Sequence, residues 1–163
     1  MKVVVAIDSL KGSLTSLEAG EAIQEGILRA ISDAEVIVRP LADGGEGTVE
    51  ALTRGMNGRY EKITVTDPLG RPTDAVYGIL EDLHTAIIEM SAAAGITLID
   101  AKDRNPMNTT TYGVGEMIKD AIGKGCRHFF IGIGGSATND GGIGMLQALG
   151  YGMLDTEGKQ VSL

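Results

Sequence analysis

Residues 2–7 form an unbroken, mostly β-branched run, the pattern of a strand buried on both faces. After a loop over 8–14, apolar positions return at helical spacing (Leu17, Ala19 or Gly20, Ile23, Ile27, Leu28, Ile31). Thr15 or Ser16 can cap that helix, and Glu18, three residues after Thr15, completes a capping box. A second short strand over 35–39 is ended by Pro40, and a glycine-rich loop leads into a helix over 48–54. The pattern then changes. Residues 59–66 and 73–80 alternate polar with apolar and flank Asp67-Pro68-Leu69-Gly70-Arg71-Pro72, which has hairpin turn chemistry. Residues 85–90 are a further strand candidate. From residue 111 a β-then-α rhythm resumes: a helix to 124, a strand over 127–133, a glycine-rich loop and a helix to 149. Residues 151–154 read as another strand, 155–158 as a turn, and 160–163 as a strand beginning, so the chain stops mid-architecture.

The fold class predicted is α/β, and the break near residue 59 suggests a meander inserted beside an α/β layer. With 163 residues, the chain can hold one domain with a real core and part of another. Scarce aromatics (4%) and 24 glycines suit a core of Val, Ile, Leu, Ala and Met with many tight loops. The net charge of −8 lacks the basic excess that phosphate-backbone binding needs, which argues against nucleic acid. One cysteine, Cys126, cannot form an internal disulfide and is read as a small buried thiol. The first apolar stretch is too short for a signal peptide, and no segment approaches the roughly 20 apolar residues of a membrane span. A soluble cytoplasmic protein with no membrane partner is expected.

Three loops share one layout, each following an apolar strand and running into a helix: 8–13, 43–48 and 132–142. If their strands are parallel, all three lie at carboxyl ends, where open α/β sheets bind ligands. In the third, Gly134 and Gly135 allow close backbone approach, Ser136, Thr138 and Asn139 add donors, and the helix opening near Gly141 would aim free N–H groups at an anion. Tight turns for helix-on-strand packing would produce the same glycines. No G-x-x-x-x-G-K-[ST] is present, and Ala137 breaks G-x-G-x-x-G. In the second loop, Asp43 and Glu46 stand among three glycines. They suit Mg²⁺, or one could take a proton from an attacking hydroxyl, or both could simply favour a helix N-terminus. In the first, Lys11 can meet a phosphate or carboxylate, and Ser9 and Ser13 can donate; a solvated turn lysine is the alternative. Glu89 and the 104–111 segment are thinner candidates, and His84 and His128 are assigned no role. Phosphoryl transfer needs cations, donors and a carboxylate to take a hydroxyl proton. Lys11, the amides of 134–142 and an acid such as Asp43 or Asp140 supply them, which reaches "binds an anionic, phosphorylated small molecule" and no further.

The residues just quoted resemble the bacterial glycerate kinase family. Asp8-Ser9-Leu10-Lys11-Gly12-Ser13-Leu14 is similar to its D-S-[FL]-K-x-S-L segment, and residues 40–48 to P-[ILM]-A-D-G-G-E-G-T. Residues 88–95 resemble I-E-M-[AS]-x-A-x-G, and 132–144 resemble G-I-G-G-S-A-T-x-D-G-G-x-G. The resemblance runs collinearly through the chain and implies phosphorylation of D-glycerate by ATP with Mg²⁺, the 2-hydroxyl favoured over the 3-hydroxyl. It implies a parallel-sheet α/β domain interrupted by a second, hairpin-containing α/β domain, with a cleft between them. Residues 1–58 would then supply the first part of one domain and 59–163 the start of the inserted one, which explains the hairpins of 59–90. On the matching positions, Lys11 and Asp43 become the catalytic candidates. Asp8, Ser9, Gly44, Gly45, Glu46, Gly134, Gly135, Ser136, Thr138 and Asn139 become the substrate or phosphate contacts, and Asp140 the metal ligand. Whether Lys11, Arg71 or a residue beyond position 163 meets glycerate's carboxylate stays open. Family members are much longer, so a truncated glycerate kinase with little activity of its own is expected, prone to self-association through the face left bare.

Overall fold

A computed structural model describes residues 1–10 and 13–161. Strand β1 (Lys2–Ile7) is followed by helix α1 (Ser16–Ala30), β2 (Glu35–Pro40) and α2 (Thr48–Gly55). Strands β3 (Arg59–Thr66), β4 (Pro72–Leu80) and β5 (Thr85–Glu89) lead to the single-turn α3 (Ser91–Ala94), then α4 (Tyr112–Gly123), β6 (His128–Gly132) and α5 (Ile143–Ala148). β1 and β2 pair in parallel as a two-stranded sheet. β3, β4 and β5 are an antiparallel meander, and β6 joins β5 in parallel, in the order β3-β4-β5-β6. The meander and the resumed β/α rhythm therefore share one mixed sheet.

Local chemistry sets these boundaries. Thr15 and Glu18 form the expected capping box: Glu18 N–H donates to Thr15 Oγ1 at 3.2 Å, and Thr15 N–H to Glu18 Oε2 at 2.8 Å. In the β3–β4 turn, Asp67 Oδ1 accepts from the amides of Leu69 and Arg71, and Oδ2 from Arg71 Nε, each at 2.8 Å. Arg71 is thus committed to a turn and does not line the cleft described below. α4 covers the large sheet, and Val114, Met117, Ile118 and Ala121 pack with Val65, Tyr77, Ile88 and the buried Cys126. Burial pushes the Cys126 thiol up, as a structural thiol requires. The hydroxyl of fully buried Tyr77 donates to Asp120 Oδ2 at 2.5 Å, and Lys124 Nζ reaches the same oxygen at 2.6 Å. A buried phenol is satisfied in this way.

The small sheet departs from expectation. β1 is not buried on both faces: Val5 is buried but Val4 is 59% exposed, because α1 covers one face and β2 is the only strand paired with β1 among the described residues. α1 buries Ser16, Ala19 and Gly20, leaving the periodic Ile23, Leu28 and Ile31 exposed. Residues 151–154 form no strand; a bridge between Leu154 and Gln160 closes a turn in which Asp155 Oδ1 accepts from the amides of Glu157 and Lys159. Of the strand expected over 160–163, residues 162 and 163 lie outside the described residues.

Candidate active site

Both parallel pairs point their carboxyl ends at one cleft of about 990 Å³. Asp8 and Ser9 enter it after β1, Asp43, Gly45, Glu46 and Gly47 after β2, Glu89 and Ser91 at the end of β5, and Gly134 and Gly135 after β6. Open α/β sheets place ligands at this end of their strands. Ser9 N–H donates to Asp8 Oδ1 at 2.7 Å, and Gly45 N–H to Asp43 Oδ1 at 3.0 Å, so each acid is held by its own loop. Lys11, the first catalytic candidate, lies outside the described residues.

The second and third loops touch backbone to backbone. Gly134 N–H donates to Gly44 O at 2.9 Å. A Cβ on Gly134 would stand 2.6 Å from Gly45 Cα, and one on Gly132 would stand 2.5 Å from Gly44 O. Only glycine permits that approach. Gly44 and Gly132 are thus committed to loop-on-loop packing, while Gly45 and Gly134 meet there and also face the cleft.

Farther along the third loop, the chemistry turns inward. The hydroxyls of Ser136 and Thr138 bond each other at 2.9 Å, and neither residue lines the cleft; nor does Asn139. The helix opens at Ile143, with Gly142 as its cap, and its first amides are not free for an anion. Gly142 N–H donates to Asp140 Oδ1, Gly144 N–H to Asp140 Oδ2 and Met145 N–H to Thr111 Oγ1. Asp140 Oδ2 also accepts from the Thr111 amide and hydroxyl, both at 2.8 Å. Burial alone would raise the Asp140 carboxyl; the donors from Thr111, Gly142 and Gly144 outweigh it and hold the group below its ordinary value. Three of these four protein donors meet Oδ2 and one meets Oδ1. This geometry makes Asp140 a clamp between α4 and α5, and Asp140 does not line the cleft.

Glu89 carries more of the site than its sequence signal suggested. Its Oε1 accepts from the Val49 amide in the first turn of α2 at 2.7 Å, and Ser91 Oγ lies 3.4 Å from Oε2. Burial raises the Glu89 carboxyl, the amides of Val49 and Gly47 and the Ser91 hydroxyl oppose the shift, and the charge of Glu46 adds to it. An acid ending an apolar strand was the available clue. Ser91, Glu50 and Arg54, which also line the cleft, gave none.

Among the described lining residues, Asp8, Asp43, Glu46, Glu50, Asp74 and Glu89 face one guanidinium, Arg54. Such a wall repels a bare polyphosphate. Among the described residues, no three Asp, Glu, His or Cys side chains gather closely enough to hold a metal unaided. Mg²⁺ asks for less, keeping waters and substrate phosphates and needing one or two carboxylates, and Asp43 and Glu46 fit that demand.

Fold and cleft together define an α/β protein with an open cleft at the carboxyl ends of its parallel strands. The model of the glycerate kinase family matches residues 3–163, and the chain belongs to that family. It is 50% identical over 161 residues to a glycerate kinase of Haemophilus influenzae, covering 99% of this chain and 43% of that protein. Identity to the Escherichia coli glycerate 2-kinase is 47%, with 99% of this chain and 42% of that protein covered. A solved structure of a proposed glycerate kinase 2 from Salmonella typhimurium LT2 superimposes with a TM-score of 0.89 at 48% identity, over 99% of this chain and 43% of that one. The chain thus spans about 43% of the length of the relatives it matches.

Proposed function

We propose that this chain builds one wall of the active site of a glycerate kinase, which moves the γ-phosphoryl group of ATP to D-glycerate, the 2-hydroxyl favoured over the 3-hydroxyl. One observation carries the reading: the backbones of the second and third loops meet at Gly44 and Gly134 beside Asp43 and Glu46, in a cleft at the ends of parallel strands. The 2-kinase name of the Escherichia coli relative supports the preferred hydroxyl. The glycerate hydroxyl oxygen attacks the γ-phosphorus, the bond to the β–γ bridging oxygen breaks, and ADP leaves. Asp43 takes the hydroxyl proton, its Oδ1 steadied by the Gly45 amide. Gly45, Gly134 and Gly135 give the substrate room against the backbone. Lys11, between β1 and α1 in sequence, would add positive charge to the one guanidinium of the described wall. Mg²⁺, held by Asp43 or Glu46 with phosphate oxygens, would neutralise charge on the transferring group.

The rest of the proposal follows from the same reading. Residues 1–58 and 59–163 contribute to two domains, the enzyme works in the cytoplasm, and this chain alone turns over poorly. No described helix is long and apolar enough to cross a membrane. Copies associate through apolar surface that this chain leaves bare, including Phe130 and Ile133, 57% and 74% exposed. A second reading is a phosphate- or nucleotide-binding module without turnover. A coupled ADP-release assay with D-glycerate, ATP and Mg²⁺ separates the two, run on this chain and on a version extended to family length. Turnover in the extended protein, with the product identified by ³¹P NMR as 2-phosphoglycerate, is expected. Nucleotide binding without turnover in both would leave the binding module.

A further inference from the structure

Helix α2 begins without a side-chain cap of its own. Its N-cap residue is Gly47, left-handed at φ +92° and without a side chain to accept from the first turn. An N-cap side chain ordinarily accepts from the second or third amide of the helix. Here the Val49 amide, the second, donates instead to Glu89 Oε1 at 2.7 Å, from a strand forty residues later. Glu89 is itself anchored against β6. Residue 90 donates its amide to Gly132 O at 2.8 Å, and β5 pairs with β6 through Glu89 and Gly132. The start of α2 is the end of the Asp43–Glu46 loop, and that loop rests on Gly134 through Gly44 O. We infer that Glu89 is a positioning residue: it caps α2 from across the sheet and thereby fixes the Asp43–Glu46 loop against the loop that follows β6.

Two features make the cap specific. Thr48, the first helical residue, turns its hydroxyl back to Gly45 O at 2.8 Å and accepts nothing from the first turn, so the Val49 amide depends on Glu89. Ser91 stands 3.4 Å from Oε2 and limits where the carboxyl can swing. The need at Val49 is for an acceptor, not for a charge, since an amide oxygen caps a helix about as well as a carboxylate. A glutamine at this position keeps an acceptor at the same reach, whereas an alanine removes it. The consequence for phosphoryl transfer rests on the function proposed above; the cap does not.

Amide hydrogen exchange of this chain by NMR tests the cap directly. In Glu89→Ala, the Val49 amide exchanges faster by about tenfold, the scale of a lost helix cap, while Ile88 in the core strand keeps its protection. In Glu89→Gln, Val49 stays within about threefold of the starting chain. Should Glu89→Ala not fold, Glu89→Asp, one methylene short of the amide, takes its place with the same expected direction. Unchanged Val49 exchange in the shortened variants overturns the inference, as does Glu89→Gln exchanging as fast as Glu89→Ala. In the family-length protein, turnover falls less in Glu89→Gln than in Glu89→Ala. An equal fall with Val49 still protected would make Glu89 a chemical participant and overturn its positioning role. Absent glycerate turnover in the unmutated extended protein would refute the kinase reading alone, since Val49 exchange does not depend on it.

Discussion

The two sheets of this molecule are stabilised by different means. The β3–β6 sheet, with α4 behind it, buries Tyr77, Ile87, Ile88, Val114 and Met117 to the point of no exposure. The β1–β2 sheet buries Val5 and Ala19 but leaves Val4, Leu10, Leu28 and Leu41 in contact with solvent. Yet the small sheet delivers Asp8 and the Asp43–Glu46 loop to the cleft, and the large one supplies the surface those residues lean on. Chemistry sits on the thin side and rigidity on the thick side. Loops carrying ligand groups are held by a scaffold they do not themselves stabilise.

That contrast can be broken from either side by urea unfolding of point variants. Ile88→Ala opens a cavity in the thick layer and should cost about 2–5 kcal/mol. A cost near zero would mean that the large sheet is not the stable part. Gly134→Ala drives a Cβ into the Gly45 backbone where the two layers meet, and should cost about 1–3 kcal/mol as overpacking does. Asp140→Ala removes the clamp between α4 and α5 and should cost about 1–2 kcal/mol, as a lost cap does. Asp140 also contributes a pH signature. Its folded value is lowered below the ordinary 3.8, so its stabilisation is present above that value and lost as pH falls through the lower folded one. The variant should therefore show a flatter decline in stability below pH 3.8. Val4→Ala, on the exposed face of β1, should change stability by less than about 0.5 kcal/mol. A larger loss would mean that this face is covered in solution.

Much of this arrangement could be read from residue order. Alternation over 59–66 and 73–80 around Asp67-Pro68-Leu69-Gly70 defined the β3–β4 hairpin, because period-two patterning and turn chemistry agree there. Thr15 and Glu18 announced α1 for the same kind of local reason. Partners distant in sequence were less legible. That β6 lies beside β5 in one sheet depends on pairing residues as distant as Thr85 and His128, with no local mark. Asp140, followed by two glycines, reads as a ligand, while its bonds to Thr111 and to the helix it precedes left no local mark. The apolar periodicity of α1 suggested a buried stripe, but burial follows what covers a helix, and β1 and β2 cover only Ser16, Ala19 and Gly20. Glu89 was legible as a strand-ending acid, while its hold on Val49 was not.

The most direct test of the proposed chemistry is the steady-state kinetics of Asp43→Asn in a protein extended to family length, with D-glycerate, ATP and Mg²⁺. Asparagine can still accept from the Gly45 amide, so the loop should keep its shape while the proton acceptor is lost. We expect kcat to fall by about 10²–10⁴-fold with folding stability unchanged. A kcat equal to that of the unmutated protein would contradict the assignment of Asp43 as the base and the reading of the loop junction as the reacting centre.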